Sequence, residues 1–489
     1  MHPIKKALCA TLAAALPALC FPVASSAWAG PTDVPDALRG AVQQAVGANP
    51  EIQARWHAFQ AAVHEQDVLR GGLRPQVDVS AAVGRQFEKL QGQPSTDFNR
   101  FGASLTLTQM LYDGMFTRSE VSRFGHARMV RYYELMSDAE AVALEAVRAY
   151  LDVLRYRELV VYAQENYAAH KLVHEQIVER TRSGVGRGVD LELATGRLAL
   201  AESNLLTEVS NLHDVSARYA RIVGELPPDA LGPMSAEVLR GTLPAGVEAA
   251  LSQAFQLNPG LKAAVADIRA GQDLVETRRA AHRPRVDLRL RQDYDRNLDR
   301  GGVYEREGAI ELVLNYNLYR GGADEARLRQ AAETLNASRD VREKVCRDIR
   351  QTVSIAMNDV SSLEAQLRHL DQHQLSMSKA RQAYRQQFDI GQRTLLDLLD
   401  GENEYFDARR AYTNAAYNQM LAQARSLSGM GALLPALGVV RDGLPTEAEL
   451  AGQETYLDAE AACPPLAPVA AVPDREAVLA EAMRRARQP

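Results

Sequence analysis

The sequence predicts an α+β membrane protein: each chain supplies four strands to a trimeric 12-stranded β-barrel, which a long α-helical barrel continues. Three observations predict it. The chain is an internal duplication, each copy opens on a pair of strands with one apolar face, and each pair precedes a proline-free stretch long enough for unusual helices.

Composition sets the outer bounds. With 489 residues, 46% hydrophobic and 24% charged, the chain can form ordered domains, so a disordered protein is excluded. Its single long apolar stretch lies at the N-terminus, which excludes a polytopic helical membrane protein. A net charge of −6 leaves no basic surplus, and nucleic acid is not an expected partner.

Lys5 and Lys6 precede an apolar run over 7–24, and Ala27-Trp28-Ala29 offers small residues where a signal peptidase reads. Residues 1–29 therefore read as a secretory signal peptide cleaved before Gly30, and their loss takes the net charge from −6 to −8. Leu19 stands where a lipoprotein signal wants a small residue before its cysteine, which argues against an anchor on Cys20. Cys346 and Cys463 then remain, 117 positions apart in unlike contexts, and no structural disulfide is expected.

The duplication shows in landmarks held in register. Asn49-Pro50 returns as Asn258-Pro259 and Arg74-Pro75 as Arg283-Pro284, at a spacing of 209. Leu111-Tyr112 returns as Leu318-Tyr319, Gly184 as Gly391 and Asp190-Leu191 as Asp397-Leu398, at 207. The expected units are 30–237 and 238–434, each a strand pair with a long helical hairpin, followed by a tail over 435–489 that wraps a collar or hangs free.

Strands are expected over 76–91, 98–112, 285–297 and 304–319. Val77, Val79, Ala81 and Val83 alternate with Asp78, Ser80, Ala82 and Gly84, and Ile310, Leu312 and Leu314 alternate with Glu311, Val313 and Asn315. After Pro94 no proline occurs until Pro227, and after Pro284 none until Pro435. Helices are expected over 114–182 and 321–388, rods of roughly 100 Å at 1.5 Å per residue. Glycine-bearing breaks at 183–188 and 391–394 then turn each rod into a return helix, over 189 to about 222 and 395 to about 427. Short helices on either side of each Asn-Pro complete the unit.

Four strands cannot close a barrel, since about eight is the smallest number that does. An ordinary half-buried sheet would require the rods to fold back over it, and nothing breaks them where that would be needed. Three chains give twelve strands, with the apolar faces toward lipid and the Asp, Ser, Asn and Arg faces lining water.

These residues resemble the TolC-like outer membrane channels of Gram-negative tripartite exporters. The resemblance rests on the duplication, the order of elements, the Asn-Pro openings, the Leu-Tyr-Asp-Gly and Leu-Tyr-Arg-Gly strand exits, and the run from Phe388 to Asp400. It implies a homotrimer with an outer-membrane β-barrel, a periplasmic α-barrel and a mixed equatorial collar. It implies no enzyme activity and no cofactor. Its partners would be a periplasmic adaptor, an inner-membrane transporter of ABC type, an exported substrate and outer-membrane lipid. The branch most similar in length and composition serves type I secretion of a toxin of the RTX adenylate cyclase-haemolysin type; small-molecule efflux uses the same duct. A periplasmic coiled-coil adaptor or scaffold is the reading from another class, and it has no need of strands with one lipid-like face.

Asp397 and Asp400, three apart, project from one helix face beside a break. A trimer would set six carboxylates round one axis, raising one another's pKa and favouring cations. The resemblance makes them aspartate rings of a periplasmic gate, with Arg393 and Asp190 tying the inner hairpin to its neighbours and Phe388 in the aromatic position. It departs from the family at Phe388, often tyrosine, and at Val189, where a hydroxyl is common. It also implies adaptor-docking tips at Gly184, Val185, Gly186 and Gly188 and at Ile390, Gly391, Gln392 and Thr394. His170 with His174, and His369 with His373, have a zinc-compatible spacing but no third ligand, so solvated faces and no metal are expected.

Overall fold

In this computed structural model, which describes residues 34–89, 91–92, 95–299, 304–441, 443–451, 463 and 474–487, each Asn-Pro pair starts a helix. Helix α1 (Asp36–Ala48) ends at Asn49, whose side chain accepts from Glu51 N–H and caps α2 (Pro50–Gly71). Proline at the first helical position loses no hydrogen bond there. The second copy repeats the device after the short α5 (Glu237–Arg240). Between α6 (Val247–Leu257) and α7 (Pro259–Arg279), Asn258 accepts from Leu261 N–H and also donates to the Gly429 carbonyl. The expected signal peptide and Pro464-Pro465 lie outside the described residues.

The strands are β1 (Gln76–Glu88), β2 (Thr96–Tyr112), β3 (Arg285–Asn297) and β4 (Tyr304–Asn315), antiparallel in the order β1-β2-β3-β4. Pairing of β2 with β3, from Arg100 opposite Asn297 down to Tyr112 opposite Val286, joins the two copies into one sheet. Strand β4 stops four residues short of the expected 319. Asn317 donates instead to Asp324 of the following helix, so the chain has already left the sheet.

One sheet face holds Asp78, Ser80, Ser104, Thr106, Arg289, Arg291 and Asp293, with Ser80 and Ser104 hydroxyls 2.7 Å apart. The opposite face leaves Val79 and Ile310 each 77% exposed and Leu312 69% exposed. Such an apolar face requires a nonaqueous neighbour. Strands β1 and β4 each keep one edge unpaired within the chain, the condition for closing a ring with further copies.

The rods are α3 (Phe116–Arg182) and α8 (Ala323–Asp389), 67 residues each, returned by α4 (Gly188–Val223) and α9 (Leu395–Met430), 36 residues each. No described helix is long and apolar enough to cross a membrane. Halfway along the rods the main core gathers Leu38, Val42, Ala146, Tyr150, Leu239, Leu261, Val353, Leu427 and Leu437, drawn from both copies and from α10 (Leu433–Leu437). Glu140 of α3 accepts the Leu433 and Leu434 N–H groups at 3.2 and 3.1 Å, and burial pushes its carboxyl up to about 8.

The tail wraps this collar as far as α11 (Glu447–Ala451). Arg441 donates to the Val46 carbonyl, Lys262 pairs with Glu447 at 2.7 Å, and Arg128 donates to the Leu450 carbonyl. A last helix, α12 (Arg475–Ala486), buries no side chain.

Two expectations are corrected here. Cys346 of α8 and Cys463 form a disulfide, with Cα atoms 5.7 Å apart, so the tail is covalently fastened to the second rod. Both cysteines lie in the main core. Spacing along the chain carried no trace of this, because the collar brings the two positions together only after folding. Cys463→Ser should lower the stability of the assembled protein by about 2–4 kcal/mol. Thermal dissociation with and without reductant measures this, the reductant lowering the midpoint of the unsubstituted protein but not of the variant. The second correction concerns His170, expected on a solvated face. It is 1% exposed, and its Nε2 lies 2.9 Å from Asn403 Oδ1 of α9, which has packed over that side of α3.

Candidate functional site

At the ends of the hairpins far from the sheet, both breaks are tight turns built on a glycine of positive φ. Gly184 (φ 77°) ends α3, and the Arg180 carbonyl accepts N–H groups from Val185 and Gly186. Gly391 (φ 76°) ends α8, and Gln392 N–H returns to the Gln387 carbonyl at 2.8 Å. A side chain at either glycine would meet strain of about 1–2 kcal/mol. Val185, Val189, Ile390 and Leu396 stand exposed around the turns, an apolar end to otherwise polar rods.

Beneath the turns a small core joins the two hairpins: Val173 and Ile177 of α3, Ala194 of α4, Phe388 of α8, and Leu395, Leu398 and Leu399 of α9. Phe388, expected in the aromatic gate position, is buried in this core with the Arg180 guanidinium 5.2 Å from its ring centre. The aromatic ring that meets Arg393 is Tyr384, one turn earlier, 4.8 Å from its guanidinium.

Thr394 begins α9 in a capping box. Its hydroxyl lies 2.7 Å from Asp397 Oδ2, its N–H donates to the same oxygen at 3.1 Å, and Asp397 N–H returns to the Thr394 hydroxyl. Arg393 lies 3.6 Å from Asp397 and donates to Gln387 Oε1 at 3.0 Å. The raised pKa expected of the aspartates belongs to a ring of three chains, whereas within one protomer the surroundings of Asp397 act the other way. The Thr394 hydroxyl, then its N–H, and then Arg393 hold that carboxyl below the usual aspartate range.

Asp400, one turn further, is bonded to Arg197 of α4, and this ion pair crosses from the second hairpin to the first. Asp190 lies 3.5 Å from Arg187, and among the described residues no ion pair joins it to Arg393 within the protomer. The structure therefore brings Asp397, Arg393 and Thr394 together, sets Asp400 on Arg197, and leaves Asp190 on the neighbouring hairpin. Arg197 was missed by sequence reasoning. The available signal was its position seven residues after Asp190, on the same helix face.

Further up α9 the crossing contacts continue. Arg410 pairs with buried Glu208 of α4 at 2.7 Å and Arg409 with Glu165 of α3, while within the second hairpin Arg381 of α8 reaches buried Glu402 of α9 at 3.3 Å. Burial lowers the pKa of His170 in this layer, disfavouring its charged form. Helix α9 is thus fastened to the first hairpin by polar groups as well as by the apolar cores at its two ends.

Residues 41–225 and 250–430 both match the family described as outer membrane efflux protein. The chain belongs to that family. Among its relatives, the outer membrane efflux protein BepC of Brucella suis is 26% identical over 413 residues, covering 82% of this chain and 87% of its own length. TolC of Escherichia coli is 23% identical, over 80% of this chain and 81% of its own. Among solved structures, a membrane protein from Pseudomonas aeruginosa superposes with a TM-score of 0.73 at 16% identity, covering 81% of this chain and 94% of that one. The outer-membrane channel OprN does so with 0.72 at 19% identity, covering 81% and 90%.

The fold is thus that of the TolC-like channels, and this outer membrane efflux protein resides in the outer membrane with its helices in the periplasm. It is an efflux or secretion channel of a tripartite system. Proteins of the family are channels rather than enzymes, act as homotrimers, and pair with a periplasmic adaptor and an inner-membrane transporter.

Proposed function

We propose that this channel is the passive outer duct for type I secretion of a protein, fed by an inner-membrane transporter of ABC type. The observation that carries the reading is a pair of relatives. The proteases secretion protein PrtF of Dickeya chrysanthemi is 23% identical over 79% of this chain, and the alkaline protease secretion protein AprF of Pseudomonas aeruginosa is 24% identical over 77%. The RTX adenylate cyclase-haemolysin type of toxin is the cargo class that the sequence resemblance implies. The relative BepC, an outer membrane efflux protein, favours efflux as the second reading.

In the proposed trimer, units 30–237 and 238–434 of each chain alternate round the axis and their strands close a ring of twelve. Asp397 and Asp400, with Arg393, Asp190 and Phe388 around them, form the periplasmic gate. The turns at Gly184, Val185, Gly186 and Gly188 and at Ile390, Gly391, Gln392 and Thr394 receive the adaptor through the exposed apolar groups between them.

Export from cells that carry a type I adaptor and transporter but lack their own outer duct tests this. The intact channel should restore a secreted polypeptide to the medium, whereas restored drug resistance without secretion would establish the efflux reading. Gly391→Trp should form trimers in normal yield yet lose most export. Undiminished cross-linking of that variant to the adaptor would remove the docking role of the turns.

A further inference from the structure

The barrel strands carry a second charged feature, outside the lumen. On the lipid-facing side of β3 and β4, Val286, Leu288 and Leu290 and Leu314, Leu312 and Ile310 form the apolar band. Toward the end away from the helices the same face continues with Tyr294 and Arg296 on β3 and Arg306 and Tyr304 on β4. The register sets Tyr294 opposite Arg306 and Arg296 opposite Tyr304, with Phe101 of β2 on the other side of Arg296. The two arginines are thus diagonal neighbours, about 7–8 Å apart at their backbones.

We propose that Arg296 and Arg306 form a binding site for the phosphate of a phosphorylated glycolipid in the outer leaflet of the outer membrane. An aromatic girdle accounts for Phe101, Tyr294 and Tyr304 at this level, but not for arginines without counter-ions. Four of the other five sheet arginines have carboxylates: Arg85 has Asp97, Arg100 has Asp295, Arg285 has Asp287 and Arg291 has Asp293, while the fifth, Arg289, stands on the opposite, polar face. Among the described residues neither Arg296 nor Arg306 makes an ion pair. The Arg306 guanidinium instead lies 5.4 Å from the Tyr304 ring and 5.8 Å from the Tyr294 ring, which stack at 6.0 Å.

Stacking orders a guanidinium while leaving its N–H edge free, and a phosphate accepts that edge through two parallel hydrogen bonds. Both arginines are exposed and stand just beyond the apolar band, at the depth of the headgroups. The first strand pair has no such site, because the Arg85–Asp97 pair occupies that level. One site per chain follows, three per trimer.

The test uses purified trimer and, as probe, vesicles of lipid A with both phosphates, against the same lipid dephosphorylated and against inorganic phosphate alone. Lipid A should raise the heat-dissociation temperature of the trimer and remain bound in native mass spectrometry. The dephosphorylated lipid and inorganic phosphate should do neither. Arg296→Gln with Arg306→Gln should weaken retention of lipid A by about a hundredfold, about tenfold for each of the two charge-assisted contacts removed. Arg296→Lys with Arg306→Lys should retain part of it. Equal retention by the Gln variant, an equal shift with dephosphorylated lipid, or an equal shift with inorganic phosphate would each overturn the proposal. If the Gln variant forms no trimer, the three probes on the unsubstituted trimer still decide. The trimer band in the absence of lipid reports separately on assembly, so a failed site is not confused with a failed barrel.

Discussion

Leu312→Arg or Leu105→Arg should abolish most of the heat-resistant trimer in the outer membrane. Leu312 stands opposite Leu288 and Leu105 opposite Val79, all on the face left bare of protein. A guanidinium near the bilayer midplane costs about 2–4 kcal/mol, and threefold symmetry repeats the cost three times in each assembled barrel. Thr106→Arg is the control. Thr106 is the next residue along β2 and faces the opposite side, opposite Asp78 and Arg291, where a charged side chain meets water. The trimer should survive that change with altered conductance. Normal yield from both leucine variants would mean that this face does not meet lipid.

The proposed gate should respond to its charges in two separable ways. Asp397→Asn with Asp400→Asn removes six carboxylates from the trimer, so selectivity for cations and block by multivalent cations should fall together in planar bilayers. The same change spares the fold, because asparagine still accepts the capping bond from Thr394. Arg393→Ser and Arg197→Gln act on the closed state instead. Each deprives a carboxylate of its partner, Asp397 in the first case and Asp400 in the second, and resting conductance should rise. For half-exposed pairs the loss per chain is about 1 kcal/mol, enough in three copies to raise open occupancy by tenfold or more. Cation selectivity that survives the double Asn change would reduce Asp397 to a helix cap.

The sequence by itself determined the parts of this protein that depend on local periodicity. Alternation placed all four strands and both of their faces, since a strand shows every second side chain to one side whatever surrounds it. The absence of proline over 132 and 150 residues placed the rods, and Asn-Pro placed the helix starts at Pro50 and Pro259. Duplication gave the symmetry of the two turns, and Asp397 with Arg393 was legible because both belong to one turn of chain.

What the tertiary structure alone decided are the contacts between residues far apart in the chain. Cys346 meets Cys463 across 117 residues, Arg197 meets Asp400 across 203, and His170 meets Asn403 across 233. A helix rod turns every 3.6 residues, so a shift of one residue in how two rods pack changes which side chains face each other. Phe388 shows the consequence: its place beside the turn was legible, but its direction, into the core with Leu395 and Leu398 rather than toward Arg393, followed from how α8 and α9 settle against α3. Local rules order the chain, and packing between hairpins selects which of its charges meet.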